Sequence, residues 1–324
     1  MQNLIKYIFI TLSLSVMLSC EEDEANIYSY DTNLISMIIA DNANLSQLHA
    51  ANQRTELHDM LLQDGPFTQL APSDDAFTTD VNTIGLNRLT NIMRYHVLHG
   101  VYDFAKIPFQ FNQEIYAHTG GKMFVTKWVK GVDTVITVNG AIITPVMKDA
   151  KNGKIQVINR LLEPYLFDYL SDAVNNEYDI TLFNQVLERV PAVKSLLQQP
   201  GAFTIYAPSN AAMVQYGYST LEVINEKPVE ELERLLRYHI VPDRRFVYDY
   251  VLTTPTTGNA NTKTTETMLN GDNLTVTLVF NSGTGTYNKV TLLGTRNTTE
   301  TNLVRENVLA GNGVLHIIDQ VLLH

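Results

Sequence analysis

Phe67-Thr68-Gln69-Leu70-Ala71-Pro72-Ser73-Asp74-Asp75-Ala76-Phe77 returns as Phe203-Thr204-Ile205-Tyr206-Ala207-Pro208-Ser209-Asn210-Ala211-Ala212-Met213, 136 residues further on. Two more blocks follow in the same order. Arg94-Tyr95-His96-Val97 returns as Arg237-Tyr238-His239-Ile240, displaced by 143 residues, and Gly153-Lys154-Ile155-Gln156-Val157-Ile158-Asn159-Arg160-Leu161-Leu162 returns as Gly313-Val314-Leu315-His316-Ile317-Ile318-Asp319-Gln320-Val321-Leu322, displaced by 160. Preserved order with a growing offset marks a tandem duplication whose second copy carries insertions. Solenoid units run ~20–50 residues, so this longer period marks whole domains. Domain one is placed at 33–164 and domain two at 165–324, with almost no linker around Pro164-Tyr165.

Each block has a readable local structure. Phe-Thr-x-Leu/Tyr-Ala alternates around a buried strand, and Pro-Ser-Asp/Asn stops it and offers an oxygen to cap the next helix. Leu232, Leu235, Leu236 and His239 fall at i, i+3, i+4 and i+7 behind Pro228, so the tyrosine–histidine pair ends an amphipathic helix. Leu89, Met93 and His96 repeat the pattern in domain one. Asn139-Gly140, between two β-rich runs, tolerates the positive φ of a hairpin turn, and Asn270-Gly271 plays a similar part. Helices, a strand, more helices and then several strands make an α+β unit.

Composition narrows the function. The 324 residues are 45% apolar and 18% charged, as in a folded chain. A formal charge of −11 disfavours a nucleic-acid partner, which calls for clustered Lys and Arg. A single cysteine, Cys20, can close no intrachain disulfide and no multi-thiolate metal site.

That cysteine ends an N-terminal segment, residues 1–19, with one cation, Lys6, and an apolar run from Tyr7 to Leu18. The run is short of the ~20 residues that span a bilayer and suits a secretory signal core. Ser19-Cys20 resembles the end of a bacterial lipobox, although Met17 and Leu18 depart from its usual residues. Glu21-Glu22-Asp23-Glu24 is similar to the acidic tether of Bacteroidota surface lipoproteins. Residues 20–32 are therefore expected to be a lipidated cysteine and its tether. The protein is expected to be held by Cys20 on the outer membrane and exposed at the cell surface, with a mature charge of −12 once Lys6 is removed.

The duplicated blocks resemble the first conserved block, the central tyrosine–histidine and the second conserved block of the fasciclin (FAS1) domain. This resemblance implies two tandem FAS1-like domains, each a β-sandwich or wedge of about seven strands with packed helices. It also implies a cell-surface adhesion or matrix-interaction protein without a general catalytic site. Gln156 and Asn159 stand where the family has His and Asp, and Met213 where it usually has Phe. No Arg-Gly-Asp occurs, and Asn307 stands where an integrin-binding variant has Asp, so integrin recognition is not carried over.

His96 and His239 invite a chemical role, but a lone histidine lacks the ligand set of a metal site and the oriented partner of a general base. With Tyr95 and Tyr238 they are expected to be structural, the imidazole bonding helix-end carbonyls or a neighbouring strand. Ser73 and Ser209 lie outside any Gly-x-Ser-x-Gly, and His316 and Asp319, three apart in an extended run, point to opposite faces. Neither a phosphate-cradling loop nor a His-Glu-x-x-His motif occurs. No cofactor or metal is implied.

Aromatics cluster after each helix-end histidine: Tyr102 and Phe104 in domain one, and Arg245, Phe246, Tyr248 and Tyr250 in domain two. These residue types make interface anchors or stack on sugars, and they are the candidate ligand-binding set, with one face of a strand as the plainer explanation. Thr253 to Thr267 and Asn281 to Lys289 are expected to be mobile polar loops. The expected function is adhesion or binding of an extracellular protein or polysaccharide, without turnover. The alternatives are a glycan-binding accessory subunit of an outer-membrane polysaccharide-capture system and a hydrolase with an unrecognised site.

Overall fold

The computed structural model describes residues 33–256 and 258–324. Cys20, the signal-like segment and the acidic tether lie outside the described residues.

Domain one begins with helices Ile35–Ala40, Ser46–Arg54 and Leu57–Met60. Strand β1 (Phe67–Pro72), helix Leu86–Tyr95 and the short β2 (Val97–His99) follow. Then come β3 (Gln110–Tyr116), β4 (Lys122–Lys130), β5 (Asp133–Val138), β6 (Ala141–Ala150) and β7 (Gly153–Ile158). Domain two opens with helices Leu170–Asn175, Thr181–Arg189 and Pro191–Leu196 before β8 (Phe203–Pro208). Helices Asn210–Tyr216, Leu221–Asn225 and Val229–Arg237 lead to β9 (Ile240–Val241) and helix Val247–Thr253. Strands β10 (Thr262–Thr267), β11 (Asn273–Asn281), β12 (Thr286–Leu293), β13 (Thr301–Ala310) and β14 (Gly313–Ile318) complete it.

The two sheets share one topology. Domain one orders its seven strands β2-β1-β7-β6-β5-β4-β3, and domain two has β9-β8-β14-β13-β12-β11-β10. In both, the first and last duplicated blocks pair in parallel, Phe67 opposite Gly153 and Phe203 opposite Gly313. The remaining pairs are antiparallel.

The parallel pair is central because it is covered twice. Phe67, Ala71 and Ile155 pack under the helices with Leu48, Leu89 and Met93, while Leu70 and Ile158 face a second core with Tyr95, Leu98, Met123 and Val138 inside the curled sheet. Domain two has the same two cores. Strands β1, β8 and β14 are accordingly buried at every position, as strands covered on both faces should be.

Several sequence expectations hold in detail. The Asn139-Gly140 turn has φ of 48° and 76°, and Gly140 also faces the Phe246 side chain, leaving no room for a Cβ. Ser209 accepts from the Ala212 N–H and caps its helix. Others are corrected. Ser73 caps nothing; a 3-10 turn, Asp74–Ala76, replaces the helix there. The next residue instead caps an earlier helix, since Asp74 accepts from Gln47 N–H at 2.9 Å and Asn210 from Leu182 N–H at 2.9 Å. The inserted segments are not plain loops: Thr262–Thr267 is the sheet-edge strand β10, and Asn281 to Lys289 forms the β11–β12 hairpin.

Candidate functional site

The Tyr–His pairs come first because the duplication repeats them. His96 and His239 are fully buried, His96 as the C-cap of its helix and His239 directly after Tyr238, the C-cap of its own. Each Nδ1–H donates to the carbonyl four residues back, Ile92 at 2.8 Å and Leu235 at 2.7 Å. Each Nε2 accepts a distant backbone N–H at 3.0 Å, from Leu162 and from Leu322. Both ring nitrogens are thus committed to one neutral tautomer, and burial pushes both pKa values down to about 4. Tyr95 and Tyr238 donate to the carbonyls of Lys122 and Asn273, joining helix end to sheet. These four residues are a duplicated backbone brace with no nitrogen free for proton transfer or a metal.

The family departures have local reasons. Buried His316 donates from Nε2 to the Arg245 carbonyl and accepts the Asn307 N–H on Nδ1, whereas Gln156, in its place, donates to the Thr144 and Val146 carbonyls across the bulge of β6. Asp319 receives both the N–H and the side-chain amide of Asn302, and Asn159 receives the Ile142 N–H. A serine–histidine contact exists, Ser36 to His58 at 2.5 Å, but Ser36 is buried at 1% exposure and ties two helices together. Among the described residues no group of three or more His, Cys, Asp or Glu could hold a metal.

The proposed ligand-binding aromatics divide by burial. Phe104, Phe246 and Tyr250 are 2%, 1% and 3% exposed, so they are core side chains, unavailable to a ligand. The run from Arg244 to Tyr250 is no strand: Val247–Thr253 is helical. Asp249, at the third helical position, accepts the free N–H of Phe246 at 2.9 Å and so fixes the helix start, which a period-two pattern of aromatics conceals. Tyr250 bonds Tyr206 hydroxyl to hydroxyl at 2.6 Å, and Arg245 pairs with Glu266 at 3.0 Å. Tyr102 and Tyr248 are half-buried, with Tyr102 stacked on Phe104.

Phe246 lies in the contact between the domains. It clusters with Phe124 of β4, Leu309, Val314 and Tyr165. The Arg244 guanidinium sits 3.5 Å above the Phe124 ring and donates to the Gly311 carbonyl at 3.0 Å, and burial lowers its pKa to about 10. Asn112 donates to the Arg244 carbonyl at 2.9 Å, and Lys130 donates to the carbonyl of Thr254. Fully buried Asp249 faces Thr126 at 3.4 Å, and burial raises its pKa to about 7. A desolvated aromatic contact ringed by polar bonds holds two bodies in one arrangement.

Beside this contact opens a cavity of about 420 Å³, walled by both domains and by the chain between them. Three ion pairs edge it: Arg88–Glu163 at 2.5 Å, Arg305–Glu177 at 2.6 Å, and Arg160–Glu306 at 2.8 Å, which crosses from one domain to the other. Leu166, 80% exposed, stands at its rim. No sequence signal could show this site, because Arg160 and Glu306 are 146 residues apart. The architecture defines a duplicated α+β protein with an interdomain cleft.

The chain belongs to the Fasciclin domain family, whose sequence pattern matches residues 43–164 and again 179–324. It is similar to human Periostin, 25% identical over 219 residues covering 64% of this chain and 25% of that protein. Protein sll1483 of Synechocystis sp. is 33% identical over 135 residues, 39% of this chain and 71% of that protein. Transforming growth factor-beta-induced protein ig-h3 of Oryctolagus cuniculus is 25% identical over 274 residues, 80% of this chain and 35% of that protein. The chain thus spans only a minor part of the two mammalian relatives. The solved FAS1 domain pair of the insect cell adhesion molecule Fasciclin I aligns with 87% of this chain and 97% of its own, at 16% identity and a TM-score of 0.41. No described helix is long and apolar enough to cross a membrane.

Proposed function

We propose that this chain is an extracellular adhesion-type binding protein without turnover, held at the outer membrane by a lipid on Cys20, and that it takes its protein or polysaccharide ligand at the cleft between the domains. Membership of the fasciclin family supports the class. The observation that carries the reading is the use of His96, His239 and His316 as backbone braces, which leaves the fixed, charge-edged cleft as the place where both domains can meet a ligand.

Alternating arginine and glutamate pairs suit a polar partner, since each can exchange part of its partner's hydrogen bonding for the ligand's. The test is capture of partners from the native cell surface by the immobilised chain, repeated with Arg160→Glu, Glu306→Arg and the doubly reversed protein. Saturable binding that each single reversal weakens and the double reversal restores is the expected result. Absence of any saturable partner across matrix proteins and polysaccharides would sink the adhesion reading. Mass spectrometry of the membrane fraction tests the anchor separately, and an unmodified Cys20 on an intact amino terminus would refute it.

A further inference from the structure

A second cavity, of about 470 Å³, lies in domain two between helix Val229–Arg237 and the last residues of the chain, within the ~300–1,000 Å³ range of small-molecule sites. Arg234, Arg296 and Tyr216 line it, with Leu235 and Leu322 as apolar wall. Both guanidinium groups lack an ion pair or side-chain hydrogen bond among the described residues, unlike Arg237 on the same helix, which holds Glu233 at 2.7 Å. The one acidic side chain in the lining, Glu231, is already engaged by the Tyr218 hydroxyl at 2.6 Å and by Lys227 at 3.6 Å. Tyr216, Arg234 and Arg296 line the cavity together with Glu231.

The wall is built rather than incidental. Arg296 N–H donates to the Leu323 carbonyl at 3.1 Å, while the Asn297 side chain accepts from Leu323 N–H at 2.8 Å and donates to the Val321 carbonyl at 3.0 Å. These bonds hold the Arg296 loop and the chain end together, so little ordering is needed on binding. In a protein of net charge −11, Arg234 and Arg296 bring two positive charges to this cavity against the one carboxylate of Glu231.

We propose that this cavity binds a uronate unit of an acidic polysaccharide, with Arg234 and Arg296 on its carboxylate and Tyr216 with the leucine wall against the sugar ring. Guanidinium groups are the residue of choice for a carboxylate. An inorganic anion has no use for the aromatic and apolar wall, whereas a pyranose presents both C–H faces and hydroxyls to it. The site is separate from the interdomain cleft, and its failure would leave the reading of the cleft untouched.

Calorimetric titration of the full chain with trigalacturonate decides the matter, beside maltotriose, triglutamate and sodium sulfate. Saturable binding of trigalacturonate that weakens as salt rises is expected, with Arg234→Gln and Arg296→Gln each costing about tenfold in affinity and the double variant abolishing it. Tyr216→Ala is expected to weaken binding without changing its salt dependence, and Lys263→Gln, on edge strand β10, to have no effect. Equal affinity for maltotriose, triglutamate or sulfate would overturn the assignment, as would absent binding by the unaltered chain or undiminished binding by a double variant that melts normally.

Discussion

His96 Nε2 accepts the Leu162 N–H at 3.0 Å, tying the end of the central helix to the segment that leaves domain one. His239 does the same for Leu322 in domain two. Each bond requires an unprotonated nitrogen, so the braces double as acid-labile points.

The pH dependence has a defined sign. Buried His96, His239 and His316 have pKa values near 4 when folded, against ~6.5 for an unfolded histidine. Their contribution is fully present above the unfolded value and is lost as pH falls from 6.5 toward 4, at up to ~3 kcal/mol each. Asp249, raised to about 7, opposes this over the same window, because its protonation favours the folded chain. Three groups against one predict a net loss of stability below pH 6.5. Urea midpoints from pH 8 to 4.5 check it, and a flat profile would contradict it.

Replacing His96 by Phe keeps a ring in the core but strands the Leu162 N–H and the Ile92 carbonyl. A loss of ~2–4 kcal/mol is expected, measured by urea unfolding at pH 7.5. His49→Phe, on an outer helix, serves as the comparison and should cost less than half as much.

Asn152 and Asn312 are equivalent clamps that the repeated blocks miss by one residue, each preceding the block's first glycine. Asn152 accepts from Ile35 N–H and donates to the Leu61 and Gln63 carbonyls; Asn312 accepts from Leu170 N–H and donates to those of Leu197 and Gln199. Alanine at either site should cost ~3 kcal/mol or more through three lost bonds, two of them buried. Thermal unfolding at pH 7.5 measures it, and a shift under two degrees would refute the clamp.

Gly153 and Gly313 bring the last strand against the first. A Cβ there would lie 1.9 Å from the Phe67 oxygen and 2.3 Å from the Phe203 oxygen. Gly153→Ala and Gly313→Ala should each destabilise by more than ~4 kcal/mol or prevent soluble expression, whereas Gly85→Ala, with open space around it, should be tolerated.

The two domains should unfold as one. The Phe124–Phe246 contact, Arg244 and the Asn112 and Lys130 bonds couple them, so calorimetry is expected to give a single transition that Phe246→Ala splits, at a cost of ~3–5 kcal/mol. Trp128, the single tryptophan, stands on the β4 face that carries Phe124, Thr126 and Lys130 toward this contact, and its emission should report the unfolding of domain one. Two resolved transitions in the unaltered chain would show that the contact is too weak to couple them.

The duplicated blocks made the fold legible because both members of the central parallel pair lie inside them: residues 67–72 meet 153–158, and 203–208 meet 313–318. Local signals such as the Asn139-Gly140 turn and the amphipathic helix before His239 depend on neighbours within a few residues, and they hold. The helix at Val247–Thr253 was hidden by three alternating aromatics, since its start is held by hydrogen bonds from Phe246 N–H to Asp249 and from Val247 N–H to the distant Asn307.

That this protein is two copies of one α+β unit was legible from adjacent residues. Only the folded chain shows which aromatics are core, which backbone groups the histidines brace, that Arg160 meets Glu306 across the cleft, and that Arg234 and Arg296 line one cavity. The reason is physical. Strand periodicity and capping are short-range preferences written into adjacent residues, whereas burial, ion pairing and the charge balance of a cavity depend on residues tens to hundreds of positions apart, whose proximity exists only once the chain has folded.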